Sequence, residues 1–172
     1  PQEGPPDEIP DPPSVTVTRA DLDPDLELGR SPLTTDFRAS VTDDTLKHGL
    51  VTFRRLDATD AAVTEAFQDA LGQWAAIDDH DHVESVLGAG EDWAATRYDD
   101  GDTLARRGAP ATVAEAVWLV DCVTRAVSFA HARGVVHGGL HPGVVRFLET
   151  PLGRWDVPVL ADWGFAHATS GL

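Results

Sequence analysis

Cysteine, methionine and lysine are almost missing from this 172-residue chain. Cys122 is the only cysteine, so no intrachain disulfide can form, and a reducing cytoplasm fits better than a secreted setting. It reads as a small buried side chain on a helix. There is no methionine, the first residue is proline, and no basic-then-apolar signal segment opens the chain, which reads as an excerpt from a longer protein. No apolar run approaches the roughly 20 residues that a membrane-spanning helix needs, which disfavours a spanning protein. Positive charge is scarce too. Thirteen basic against 29 acidic residues leave a formal charge of -16, which disfavours nucleic-acid binding. Lys47 is the only lysine, and aspartate far outnumbers glutamate. That bias is expected of a halophile with a salt-rich cytoplasm, where a Debye length of about 3 Å at 1 M suppresses self-repulsion. An acidic surface for a basic partner fits less well, because the acids are spread along the chain.

What is present supports one main folded domain, with 42% hydrophobic residues. Pro1 to Pro13 hold six prolines and four acids, a composition that stays extended and reads as a linker. Short alternating runs follow at Val15–Thr18, Asp36–Thr42 and Leu50–Leu56, with Asp43-Asp44 and His48-Gly49 as turn residues. Val63, Phe67, Ala70, Leu71, Trp74 and Ile77 recur at helical spacing, and Thr59-Asp60 can cap that helix. Val83–Leu87 and Trp93–Tyr98 read as further strands joined through Gly88–Asp92, closed by the polar loop Asp99–Asp102. Thr112 and Glu115 have capping-box spacing, and Val113, Val117, Val120, Val123 and Val127 run along a helix that Gly134 stops. Val144–Leu148 and Val157–Ala161 flank the turn Pro151–Arg154. No internal repeat is found.

The stretch from Phe129 to Pro142 contains His137-Gly138-Gly139-Leu140-His141, and a hairpin then leads to Asp162-Trp163-Gly164. This order resembles the catalytic loop and metal-binding turn of the protein kinase superfamily, and five strands with one helix after the third precede it in kinase order. The resemblance covers about Leu22 to the end and stops short of the closing Ala-Pro-Glu and the later helices. It implies an α+β, protein-kinase-like two-lobed fold. Residues 22–98 would form a complete small lobe, a five-stranded antiparallel sheet plus one helix. Residues 99–172 would form only the first part of the helical large lobe, ending after the Asp-Trp-Gly turn, with residues 1–21 a proline-rich acidic linker.

Position by position, the resemblance also implies impaired chemistry. The third-strand lysine falls on Arg54, whose planar fork is a poor substitute at a crowded phosphate site. The helix glutamate falls on Ala70, so no ion pair forms there, and Asp69 lies about 100° around the helix. The proton-accepting aspartate corresponds to Gly139, the lysine after the loop leucine to His141, and the second-metal asparagine to Val144. Of the glycine-rich loop, expected near Leu28–Thr34, only Gly29 survives, and Pro32 removes a donor. Asp162 is retained and could bind one magnesium or simply cap its own turn. Thr96 would gate the adenine pocket, Thr52 would touch the ring, and Arg97-Tyr98-Asp99 would be the hinge. The cofactor-binding candidates are therefore Gly29, Arg54, Thr96, Tyr98 and Asp162, with Asp162 the metal ligand. No catalytic position among His137, Gly139, His141 and Val144 is intact. His137 reads as a satisfied loop histidine, and His80 and His82 make a poor zinc pair because no cysteine joins them.

These assignments imply a pseudokinase, a regulatory or scaffolding module that binds ATP and Mg weakly or not at all. Its partners would be a protein or neighbouring domains of the same longer chain. The alternatives are an atypical Ser/Thr protein kinase, in which Asp69 or another carboxylate substitutes, and a small-molecule phosphotransferase of the aminoglycoside type, suggested by His-Gly-x-Leu-His-Pro. The latter meets the same obstacle at Gly139 and Val144. Without later helices, Val117, Val120, Val123, Val127, Trp118 and Phe129 are expected to lack cover.

Overall fold

The computed structural model describes residues 4–9, 15–42, 49–98, 102–150 and 155–165. The turn at Asp43-Asp44 and His48, part of the 99–102 loop, and the turn Pro151–Arg154 lie outside the described residues.

Five strands, β1 (Leu22–Arg30), β2 (Thr34–Val41), β3 (Leu50–Leu56), β4 (Val86–Ala89) and β5 (Trp93–Arg97), form one antiparallel sheet in the order β1-β2-β3-β5-β4. Helix α1 (Ala61–Ala75) follows the third strand. The period-two pattern of β3 divides its side chains between two cores. Val51 and Phe53 join Leu22, Ala39, Leu87, Trp93 and Ala95 on the outer face. Leu56 joins Phe67, Leu71 and Trp74 on the inner face, beside α1. Asp60 starts α1 as expected, its carboxylate accepting from the Ala62 and Val63 amides.

Two strand expectations are corrected. Val15–Thr18 is irregular rather than β; the first strand is Leu22–Arg30. Alternation could not reveal β1, because past Leu22 every residue of this edge strand is exposed. Residues 15–21 nevertheless pack on the outer core: Val17 is buried and its amide donates to Leu87 O at 2.7 Å. Gly88 makes room, since a Cβ there would lie 2.2 Å from Val17 O. Arg19 lies over the Phe53 ring at 4.7 Å. The fourth strand begins at Val86, not Val83; Val83 instead makes a parallel bridge to Leu160 in the other lobe.

The remaining elements are α2 (Leu104–Arg107), α3 (Val113–Ala132) and the antiparallel hairpin β6 (Val145–Leu148) and β7 (Val157–Leu160). The Thr112–Glu115 capping box forms, and Gly134 ends α3 at φ 75°. The buried stripe of α3 is not its valines but Cys122, Ala126 and Ala130, small residues that let the helix approach the hairpin. Val113, Val117 and Val120 are 82%, 63% and 63% exposed, but the expectation that Val123, Val127, Trp118 and Phe129 lack cover is corrected: all four are half-buried, and Val123, Val127 and Phe129 pack against the inner core. Cys122 is fully buried, and burial, aided by Asp121, pushes its thiol up to about 12. The fold is thus α+β, a kinase-like small lobe plus part of a large lobe. Among the described residues no helix is long and apolar enough to cross a membrane.

Candidate functional site

The inner face of the sheet, α1 and the loop before β6 enclose a cleft of about 370 Å³. Arg54, Asp162, Gly139, His141 and Val144 all line it, together with apolar walls from Leu33, Leu56, Val63, Phe67 and Phe165. Of the positions tied to phosphate and metal chemistry, Arg54, Gly139, His141, Val144 and Asp162 therefore converge, whereas Gly29 does not. Gly29, Thr52, Thr96 and Tyr98 do not line this cleft. Gly29 is exposed on β1 and Thr96 is buried on β5. Thr52 Oγ1 donates to Arg97 O at 3.4 Å. The Tyr98 side chain is hydrogen-bonded with Arg38, which also forks onto Asp25.

The centre of the cleft is Arg54, and it is held by two carboxylates. β2 and β3 pair in a register that puts Asp36 directly opposite Arg54. Nε and Nη2 of Arg54 donate to the two oxygens of Asp36, each at 2.7 Å, while Nη1 donates to Asp162 Oδ1 at 2.6 Å. The side chains of Arg54, Asp36 and Asp162 are only 15%, 22% and 25% exposed. The guanidinium also lies 5.1 Å from the Phe165 ring centre. Sequence reading gave Arg54 no acidic partner, because Ala70 stands where the helix glutamate should be. The structure corrects this: the partner comes from the adjacent strand. An Asp one strand away from an Arg is a legible signal only once the register is known.

Electrostatics follow the geometry. Burial alone would lower the Arg54 pKa, but the charges of Asp162 and Asp36 outweigh it and hold the guanidinium well above its ordinary value. Burial would raise Asp162, yet Arg54, with help from Arg146, keeps it below the usual carboxylate range. Two carboxylates around one cation leave the trio net negative, a poor field for a nucleotide's phosphates.

Asp162 stands at φ 61°, the left-handed region that Asp tolerates better than most residues. Trp163 is fully buried, its Nε1 donating to Leu160 O at 3.0 Å and its ring centre 4.7 Å from that of His137. Gly164, at φ 77°, presses against α1: a Cβ there would lie 3.2 Å from Ala70 Cα and 3.3 Å from Ala70 Cβ. Ala70 is therefore more than a missing acid. Its small size lets the Asp-Trp-Gly turn lie directly on the helix.

His137 has both ring nitrogens engaged: Nε2–H donates to Ala161 O at 3.0 Å and Nδ1 accepts from the Gly139 amide at 3.4 Å. Burial, the largest influence, lowers its pKa, and that bonding pattern suits the neutral ring. His141 is exposed, with Nδ1 accepting from the Gly143 amide at 3.0 Å. Val144 is buried and offers no lone pair to a metal. Gly139 offers no base. Asp162 is the one lining carboxylate among the described residues, and its Oδ1 is held by Arg54, so a phosphate-bound magnesium would compete with the guanidinium for that carboxylate.

The lobes are joined behind the cleft. Glu84 N donates to Leu160 O and Leu160 N to His82 O, each at 2.9 Å, and Arg146 Nη1 donates to Glu84 Oε1 at 3.0 Å between nearly buried side chains.

No protein-family model matches the chain. Two curated proteins do resemble it, each named Serine/threonine-protein kinase PknJ, from Mycobacterium bovis and Mycobacterium tuberculosis. Both are 33% identical over 97 residues, covering 52% of this chain and 16% of theirs. The chain thus spans a small part of the length of the curated relatives it matches. With the fold, this likeness supports a protein-kinase-like relationship.

Proposed function

We propose that this chain is a pseudokinase domain, a kinase-like module in which the phosphate-ordering cation has become a structural strut and whose work is regulatory or scaffolding. The observation that carries this reading is the double capture of Arg54 by Asp36 and Asp162. A lysine in that position would leave room for phosphate oxygens; a guanidinium forked onto one carboxylate and touching a second presents them with no free donor edge of comparable strength. Gly139 and Val144 add to the loss, since general-base help alone is worth about 10²–10⁴-fold. ATP, and magnesium through Asp162, would bind weakly or not at all, and the partners would be proteins or adjoining domains in a cytoplasmic setting.

Calorimetry with MgATP on the intact chain tests it. No saturable heat is expected below about 1 mM nucleotide, an affinity near 4 kcal/mol. Asp36→Asn, which frees part of the fork, is expected to strengthen any binding. Tight magnesium-dependent binding by the unsubstituted chain would overturn the reading.

The second reading is a Ser/Thr protein kinase of unusual active site, favoured by the 33% identity to proteins named as such kinases. It requires Asp162 to exchange Arg54 for a metal on nucleotide binding.

A further inference from the structure

A second concavity, of about 310 Å³, lies between the α2–α3 connection and the β6–β7 hairpin, and it shares no lining residue with the first. Leu104, Trp118, Leu119, Phe147, Trp155 and Pro158 form its large apolar walls. Arg107 at its edge is charge-balanced by Asp102 and Asp156 and lies 4.0 Å over the Phe147 ring, so the groove is aromatic and apolar with a paired rim. Two further observations concern what it could hold. The Nε1–H of Trp118 is buried with no acceptor. The backbone amide of Trp155, a wall residue, donates to Gly4 O at 3.0 Å. The proline-rich segment thus already touches the groove, and in it Gly4, Pro6 and Ile9 are partly covered while Pro5, Asp7 and Glu8 are exposed.

We propose that this groove is a docking site for a proline-rich strand, and that its occupant is the chain's own amino-terminal segment beginning Gly4-Pro5-Pro6-Asp7-Glu8-Ile9. Proline-rich stretches are extended before they bind and lose little entropy on docking, and their carbonyls, unmatched by local donors, are open to donors on an aromatic surface. Gly4 is bonded to the hairpin and Val17 to the outer face of the sheet, so described residues on either side of the proline-rich stretch contact both lobes. A short tether gives an effective concentration in about the millimolar range, enough to fill a weak site in cis. The proposal does not depend on whether the nucleotide cleft is functional.

The test is a fluorescently labelled peptide of residues 1–14 titrated against the intact chain and against a variant lacking residues 1–13. Binding to the shortened chain at least about tenfold tighter than to the intact one is expected, because the tethered copy competes. That binding should be lost with Ala109→Glu, an exposed position lining the groove, and with a peptide whose prolines are replaced by serine. No binding to the folded shortened chain, equal binding to both chains, or binding indifferent to Ala109→Glu would overturn the proposal. A segment-dependent dimer would overturn it too, by placing the occupant in trans. Should the shortened chain fail to fold, cleavage of the intact chain after Glu8 by a glutamate-specific protease decides: Ala109→Glu should accelerate it clearly, and an unchanged rate would contradict docking.

Discussion

Asp36 and Arg54 face each other across β2 and β3, and two parallel hydrogen bonds of 2.7 Å join them. The same guanidinium reaches Asp162 at 2.6 Å, so one side chain ties the sheet to the Asp-Trp-Gly turn of the other lobe. In a kinase active site the cation of the third strand is shared between an acid and a nucleotide. Here the guanidinium is shared between two acids of the chain itself, one from the sheet and one from the turn.

Arg54→Met is therefore expected to destabilise the chain by about 2–4 kcal/mol, since it leaves two carboxylates facing each other in a mostly buried site. Asp36→Asn should cost less, about 1–2 kcal/mol, because the amide oxygen still accepts one hydrogen bond from the guanidinium. Urea denaturation of the three proteins checks the order, and an Arg54→Met variant as stable as the parent would show that the strut contributes nothing.

The contact between Gly164 and Ala70 leads to a second expectation. Restoring the missing glutamate with Ala70→Glu should not rebuild an ion pair with Arg54; it should push an acid into the turn and destabilise by about 3 kcal/mol or more. Gly164→Ala should also destabilise, through its φ of 77° and a Cβ crowded by Ala70, by about 1–2 kcal/mol. Thermal melts of both variants provide the check.

The pH dependence is set on its neutral side by histidine. The folded pKa of His137 is lowered by burial, as are those of His80 and His82. Each binds a proton more readily in the unfolded chain, so their contribution is complete above the unfolded value of about 6.5 and is lost as pH falls from there through the folded values. Stability should begin to decline just below pH 6.5, well before carboxylates such as Asp162 titrate. His137→Gln should flatten part of that slope, and a stability profile level from pH 7 to 5 would contradict the assignment.

Much of this was legible in the sequence because local chemistry and global fold agree there. The apolar spacing from Val63 to Trp74, the Thr112–Glu115 box and Gly134 state their elements outright, and the order of His137 and Asp162 around a hairpin points to the architecture. β1 is hidden because an exposed edge strand has no buried alternation to read, and the valine spacing of α3 does not mark its fully buried stripe, which is made of the small residues Cys122, Ala126 and Ala130. The site was half legible. Which residues converge follows from motif order, but the Asp36–Arg54 pairing depends on strand register, and the Ala70–Gly164 contact on how closely a helix and a loop approach. Neither leaves a mark in spacing along one chain.

The central claim is that the cleft has lost phosphoryl transfer, and the most direct measurement is incorporation of radiolabelled phosphate from ATP by the intact chain with magnesium, in low and in molar salt, beside an Asp162→Ala control. The account predicts no label above that control in either condition. Label that depends on Asp162 would mean that Arg54 releases it to a metal during turnover, and the pseudokinase reading would then be contradicted.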